Sequence, residues 1–237
     1  MSTNALLAFF QPQNFDVIEI AQFFVALYLS LSFHEAAHAW MAYRHGDDTA
    51  YLMGRMTLNP IVHIDPIGTV FVPLLMVINL GIPLIGWAKP VPVNPLRFRD
   101  MRKGEIQVSL AGPVSNFILA SGALVASWMV LALALMFLKP GEPMHVVTML
   151  LLFLRRLMIL NLVLGLFNLI PISPLDGSHI LRVLLPREAA EKYDRLLVPP
   201  FNYLVLFFFF FVVLPMVGDM FGLISALVDY LCMIWWL

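Results

Sequence analysis

Charged residues are scarce in this sequence: they make up 12% of its 237 residues, against about 25% in soluble domains. The single cysteine, Cys232, excludes an internal disulfide framework and a zinc site built from cysteine thiolates. A formal net charge of −1, with no basic patch among aromatic residues, indicates that nucleic acid is not a partner. The first 16 residues hold no Lys or Arg and so lack the basic start of a cleaved signal peptide. We expect a single integral membrane domain over residues 1–237.

Apolar residues dominate the chain, at 61%. Five segments stay mostly apolar over roughly 17 residues or more, which suffices to cross about 30 Å of hydrocarbon at about 1.5 Å per residue. Breaker residues at 141–143 separate the second segment from the third. Gly218 and Asp219 leave room only for a tight turn inside a C-terminal helical hairpin over 201–237. The predicted spans are residues 17–44, 106–138, 144–170, 201–217 and 220–237.

A sixth apolar segment, residues 64–87, is interrupted by three prolines and three glycines. It is compatible with a broken helix, a re-entrant hairpin or short strands, and such backbone survives at membrane depth only where protein or water satisfies it. The expected fold class is therefore an all-α polytopic membrane protein. We expect a bundle of five to six transmembrane helices, with a partly inserted loop or β segment between the first and second spans.

The first span carries the motif His34-Glu35-Ala36-Ala37-His38. Histidines four apart lie on one face of a helix, about one turn apart, where both imidazoles can reach one Zn²⁺. Glu35 is placed to take a proton from a metal-bound water. Such a motif in lipid-embedded sequence indicates hydrolysis within the membrane.

A zinc site of this kind needs a third protein ligand, and Asp176 is the strongest candidate. It follows a span that ends at Pro171 and Pro174, which unwind the backbone, and it precedes Gly177, which permits a sharp turn back into the bundle. An intramembrane carboxylate is costly unless a partner such as a divalent cation compensates it. The other histidines and the acidic residues near apolar sequence are His45, His63, His145, His179, Glu19, Asp65, Asp219 and Asp229.

Together, HEAAH and the later stretch FNLIPISPLDG resemble the site-2 protease family of intramembrane zinc metalloproteases. Segments 54–66, 86–95 and 111–116 also look like its short bacterial and archaeal branch, which lacks PDZ and CBS modules. The resemblance covers roughly residues 30–185. It implies one Zn²⁺ per chain and a water activated by Glu35. It also implies that the metal ligands are His34, His38 and Asp176, and that Asn168 steadies the substrate or its oxyanion.

Each site residue also has a structural alternative. The two histidines could be hydrogen-bonded packing residues, and Asp176 could cap a helix over residues 178–185. Asn168 could bond a neighbouring helix instead of a substrate.

The roles of the other polar residues have more than one interpretation. His63 and Asp65 could support a ligand or cap the loop beside Pro66, and Asn116 favours helix packing over catalysis. For Arg155 and Arg156, extension of the side chain to an interface is favoured, and pairing with an acidic residue such as Glu19 or Asp229 is the alternative. A surface role is favoured for His179, and a lipid-facing or packed apolar role for Cys232.

Positive charge predicts the orientation of the chain. Residues 44–105 hold seven of the fourteen Lys and Arg, and residues 171–200 hold four, so both regions are expected on the cytoplasmic side. His38 lies near the end of its helix and Asp176 just past another, so they meet at one depth only if both ends face the same side. We therefore expect residues 64–87 not to cross, the N-terminus to lie outside, and the site to face the cytoplasm from a bacterial or archaeal cell membrane.

The expected function is that of an intramembrane zinc metalloendopeptidase cutting single-span membrane proteins in the lipid bilayer, with a catalytic core over about 17–185. Strands in residues 51–94 would pair with an extended substrate. The alternatives are a family member without proteolysis that acts as a membrane binding module, and a metal transporter or a different membrane metallohydrolase. A transporter would show ionisable residues in several spans instead of one converging site.

Overall fold

Three long apolar helices form the body of the protein. The structure is a computed structural model that describes residues 17–75, 87–139, 144–196, 203–204, 207 and 218–232. The three helices contain 29, 37 and 24 residues, and each is long and apolar enough to cross a membrane. In chain order, the α-helices whose bounds lie within the described residues are α1 (Val17–His45), α2 (Thr49–Leu52), α3 (Met101–Phe137), α4 (His145–Asn168), α5 (Asp176–Leu184), α6 (Arg187–Leu196) and α7 (Gly218–Leu231).

The first three predicted spans correspond to α1, α3 and α4. Helix α3 begins five residues before the predicted apolar segment because Asp100 caps it, accepting the N–H of Lys103 at 3.0 Å. The predicted span 201–217 lies mostly outside the described residues. Gly218 and Asp219, predicted to form a turn, are instead the first two residues of α7.

The segment between α2 and α3 is irregular, as its prolines predict. Pro66–Phe71 forms a π-helical turn that continues helically to residue 75, while residues 76–86 lie outside the described residues. The described parts of residues 51–94 contain no strand, which differs from the expected β pairing. Pro90 and Pro92 account for this in the second half of the region, because each lacks the N–H that a sheet ladder requires.

Small residues fill the contact between the long helices. Ala26 of α1 packs with Ala120 and Ala123 of α3, and all three side chains are buried. Such residues let helix backbones approach closely, which favours association in lipid through van der Waals packing. Leu154, Leu157, Met158 and Ile159 of α4, with Val228 and Cys232 at α7, complete this core.

Both arginines inside α4 are paired. Arg155 binds Asp229 of α7, with an Nη2–Oδ2 distance of 3.0 Å, and also donates to Ser225 at 2.7 Å. Arg156 binds Glu19 of α1 at 2.7 Å. The structure therefore shows the second alternative, pairing with an acidic residue, in place of the favoured extension to an interface, and the two pairs join α4 to α7 and to α1.

Candidate active site

The HEAAH motif lies in the C-terminal half of α1, and its two histidines face the start of α5. Their Nε2 atoms are 3.0 Å apart, and both side chains are buried. Asp176 Oδ2 lies 3.1 Å from Nε2 of His34 and 3.3 Å from Nε2 of His38. The structure thus brings together the three residues that the sequence predicted as ligands.

The turn between α4 and α5 aims Asp176 at the histidines. Helix α4 ends at Asn168, the chain turns through residues 169–175, and α5 begins at Asp176 with Leu175 as its N-cap. Asp176 is therefore not the capping residue. A Cβ at Gly177 would lie 2.2 Å from the carbonyl oxygen of Leu169, so only glycine allows the two ends of this turn to meet.

The donor set fits a divalent metal ion. The three ligand atoms all lie within 4.8 Å of one another. Four-coordinate zinc with bonds of about 2.0–2.1 Å places its ligand atoms roughly 3.3 Å apart, close to the observed separations. Asp176 Oδ2 is also buried without a hydrogen-bond partner in the described part of the chain. A cation would compensate this carboxylate oxygen.

Hydrogen bonds on the far side of each imidazole fix its tautomer. The Nδ1 of His38 lies 2.7 Å from the carbonyl oxygen of Val108, which can only accept, so this nitrogen carries a proton. The Nδ1 of His34 lies 2.6 Å from Oδ1 of Asn116. Both Nε2 atoms are thereby left to bind a metal, and their rings are held in orientation.

Asn116 is oriented by a buried polar chain across three helices. Its Nδ2 donates to Oδ1 of Asn161 at 2.7 Å, and the Nδ2 of Asn161 donates to Ser30 and to the carbonyl oxygen of Leu157, both at 2.8 Å. Because a backbone carbonyl can only accept, the amide nitrogen of Asn161 must face Leu157 and its amide oxygen must face Asn116. The amide nitrogen of Asn116 therefore faces Asn161, and its amide oxygen faces His34. Asn116 and Asn161 are both 0% exposed. The chain therefore presents an acceptor to His34.

Helix α3 passes directly over the histidine pair at Gly112. A Cβ there would lie 2.4 Å from Nε2 of His38 and 2.6 Å from Nε2 of His34. Real Cβ atoms essentially never approach other atoms that closely. Glycine at this position leaves the space that a metal ion and its ligands need.

Glu35 lies beside the ligands and is held from outside α1. Its Oε2 accepts the N–H of Val91 at 2.8 Å, and the side chain is buried. Val91 belongs to the irregular segment before α3. One carboxylate oxygen is thereby fixed by backbone, while the other remains for a water or substrate proton.

Other candidate residues have local roles. Asn168 donates its side-chain N–H to the carbonyl oxygen of Leu164 in its own helix at 3.0 Å. Asp65 caps the π-helical turn by accepting two backbone N–H groups, and buried His63 bonds the carbonyl oxygen of Thr57. The loop interpretation therefore holds for both. His179 is exposed.

Part of the site was not predicted from the sequence. Asn116 was expected to pack between helices, whereas its side chain bonds His34, and no role was predicted for Gly112 or Asn161. A signal was present: Gly112 and Asn116 are four apart, so they share a face of α3, and Asn161 is an amide inside an apolar span.

Comparison with known proteins agrees with this geometry. The model of peptidase family M50 matches residues 22–214. The chain belongs to peptidase family M50. "Putative zinc metalloprotease YwhC" of Bacillus subtilis (strain 168) is 42% identical over 171 residues, which cover 72% of each chain. "Putative zinc metalloprotease Rip2" of Mycobacterium tuberculosis (strain H37Rv) is 33% identical over 203 residues, 85% of this chain and 70% of that protein.

A third relative extends the comparison beyond bacteria. "Zinc metalloprotease MJ0392" of Methanocaldococcus jannaschii is 26% identical over 171 residues, 71% of this chain and 35% of that protein. No solved structure matches the chain significantly. Membership of the M50 family, the metal-ready group and the apolar helices together define an integral membrane zinc metalloprotease of the site-2 protease type.

Proposed function

We propose that this M50 metalloprotease hydrolyses peptide bonds of single-span membrane proteins inside the bilayer. In this proposal His34, His38 and Asp176 hold one zinc ion, and Glu35 is the general base. The observation that carries the proposal is the convergence of the three ligand atoms within 4.8 Å of one another, two of them from α1, a helix long enough to span a membrane. Glu35 lies directly beside them in the motif.

Each residue has a defined task. When bound, zinc lowers the pKa of a coordinated water toward about 7 and polarises a carbonyl group. Glu35, fixed at Oε2 by Val91, accepts the proton of the attacking water through its other oxygen and then passes it to the leaving amine. Asn168 donates to the developing oxyanion. One N–H of its amide bonds the carbonyl oxygen of Leu164, and the second N–H is the one available for this role.

An apolar cavity beside the motif suits a membrane-derived substrate. Its volume is about 410 Å³, and its walls include Phe33, Ala37, Trp40 and Met56. A substrate helix has its amides sealed in hydrogen bonds and must unwind locally before attack. This open cavity offers an apolar side chain of the unwound segment a protein surface to pack against.

The active site faces the cytoplasmic side of the cell membrane in this proposal. The N–H of Trp87 donates to the carbonyl oxygen of Gly68 at 3.1 Å, and Thr69 donates to the carbonyl oxygen of Trp87 at 2.7 Å. A segment whose two ends meet leaves and returns on the same side, which supports the non-crossing path of residues 64–87. The basic regions 44–105 and 171–200 then share the cytoplasmic side. We assign the catalytic core to residues 17–185 and a C-terminal helical hairpin to 201–237.

Metal content and cleavage test the proposal together. Purified protein should hold about one zinc per chain and cleave a single-span substrate in liposomes. His34→Ala and Asp176→Ala should lose most of the zinc, because a three-ligand site that lacks one ligand binds far more weakly. Glu35→Gln should retain zinc and lose cleavage. Loss of zinc from Glu35→Gln, or cleavage by that variant at the wild-type rate, would contradict the division of roles.

A further inference from the structure

We propose that Arg55 and Asp47 are positioning residues for the general base. They fix the segment of residues 87–94, here called the Glu35 support segment, whose Val91 amide holds the Glu35 carboxylate. This inference rests on the proposed role of Glu35. Neither charged residue has a part in metal binding, and both are buried, at 8% and 1% exposure.

Arg55 holds the first half of the support segment. Its Nη2 donates to the carbonyl oxygen of Lys89 at 2.7 Å, and its Nη1 donates to that of Pro90 at 3.0 Å. Nη2 also donates to the carbonyl oxygen of Val62 at 3.1 Å. The described residues give this buried guanidinium no carboxylate partner, and burying a charge is costly unless it is well bonded. The guanidinium therefore binds the carbonyl groups of Lys89 and Pro90, the two residues that immediately precede Val91.

Asp47 holds the other end. Its Oδ2 accepts the N–H of Asn94 at 2.6 Å, while its Oδ1 accepts the N–H of Thr49 at 3.1 Å and the Thr49 hydroxyl. Burial raises the pKa of Asp47, but these bonds outweigh it and hold the pKa below its ordinary value. The residue is therefore a fixed anion at neutral pH.

The second half of the support segment, from residue 90, cannot be held by sheet pairing. Pro90, Pro92 and Pro95 have no N–H, so residues 90–95 offer only three backbone donors. Of these, Val91 donates to Glu35 and Asn94 donates to Asp47. The side chain of Val91 packs on Ala39 and Ala50. The backbone bonds from Trp87 to Gly68 and from Lys89 to His63 hold the start of the segment, and the two charged residues set the place from which the Val91 amide reaches Glu35.

Displacement of that amide should impair the chemical step selectively. A misplacement of about 1 Å at a reacting group costs about 100-fold in rate. Arg55→Met and Asp47→Asn should therefore lower kcat by roughly 10- to 100-fold, with KM and zinc content near those of the wild type. Arg55→Lys keeps the charge but loses the two-pronged contact, so its loss should be smaller. The matched control is Arg102→Met, which removes an exposed arginine of the same region and should leave kcat unchanged.

A double-mutant cycle separates positioning of Glu35 from a general effect on the fold. In a Glu35→Asp background the carboxylate is already drawn away from Val91, so adding Arg55→Met should cost much less than it does in the wild type. Hydrogen exchange supplies a readout that needs no activity. Arg55→Met and Asp47→Asn should accelerate exchange in residues 87–94, and Glu35→Ala should accelerate it at Val91.

The outcomes distinguish this inference from the proposed function. If the wild type cleaves and Glu35→Gln does not, yet Arg55→Met and Asp47→Asn keep the wild-type kcat, the positioning role is wrong and the proteolytic function stands. Additive losses in the cycle, or zinc loss in Arg55→Met, Arg55→Lys and Asp47→Asn alike, would also overturn it, because these residues would then serve the fold in general. If the wild type does not cleave, unchanged exchange in residues 87–94 would still refute the inference.

Discussion

Replacement of Gly112 by alanine tests the metal centre without changing any ligand. The added methyl group would lie 2.4 Å from Nε2 of His38, 2.5 Å from Cε1 of His34 and 2.6 Å from Nε2 of His34. Both imidazoles are anchored on their far sides by Val108 and Asn116, so neither ring can simply swing away. Either α3 must move or the histidine pair must shift.

The size of the effect follows from these distances. Ordinary van der Waals contact begins at about 3.4 Å, so the neighbours of the methyl group must retreat by about 1 Å, whereas a metal site tolerates changes of only about 0.2 Å in its bond lengths. We expect zinc affinity to fall by at least about 100-fold. That corresponds to about 2.7 kcal/mol, and peptidase activity should fall at least as far.

Competition with a chelator of known zinc affinity, followed by metal analysis, measures this change. Gly122→Ala is the matched control, because it makes the same substitution in the same helix, where the new Cβ meets no atom within 4 Å beyond the adjacent residues and the nearby backbone of its own helix. It should retain zinc and activity. A Gly112→Ala protein that binds zinc and cleaves substrate as the wild type does would refute the geometry of the site.

Three further perturbations should have defined results. Asn116→Ala should weaken zinc binding by about 10- to 100-fold in the same chelator assay, since it removes the group that orients a ligating imidazole. Gly177→Ala should displace the start of α5 and lower zinc affinity while the circular-dichroism helix content stays unchanged. In a Cys232→Ser background, single cysteines at exposed Met53 and Arg102 should react with a membrane-impermeant thiol reagent from the same, cytoplasmic side. Labelling from opposite sides would mean that residues 64–87 cross the bilayer.

The group of residues able to hold a metal could be predicted because its signals are local. His34 and His38 are one helical turn apart, so sequence spacing alone places both imidazoles on one face. The position of Asp176 could be predicted from the end of the preceding helix. Pro171 and Pro174 mark that end, because neither has the backbone N–H that a continuing helix needs. The three long helices α1, α3 and α4 could also be predicted from the sequence, because a membrane-spanning helix must have a minimum length and an apolar composition.

The contacts that orient the ligands could not be predicted, because they are distant in sequence. Asn116 reaches His34 across 82 positions, and Val91 reaches Glu35 across 56. The periodic pattern of apolar residues in a helix does not indicate which amide side chain will contact which imidazole of a crossing helix. Strands were expected in residues 51–94 because of their β-branched residues. In the later part of this region, alternating prolines lack the N–H groups that a strand ladder needs. The carbonyl groups of Lys89 and Pro90 are bound by Arg55 instead.

The distribution of charge inside the bundle favours hydrolysis over transport. Arg155 and Arg156 pair with Asp229 and Glu19 toward the N-terminal end of α1. Glu19 and His34 are 15 residues apart, hence about 22 Å along the helix. The polar chain from His34 through Asn116 and Asn161 ends at Ser30, which bonds the carbonyl oxygen of Ala26 in its own helix. Over the described part of the bundle, no series of ionisable groups links the two ends. An ion path would require such a series, whereas a metallopeptidase requires one converging site, and that is the arrangement the helices create.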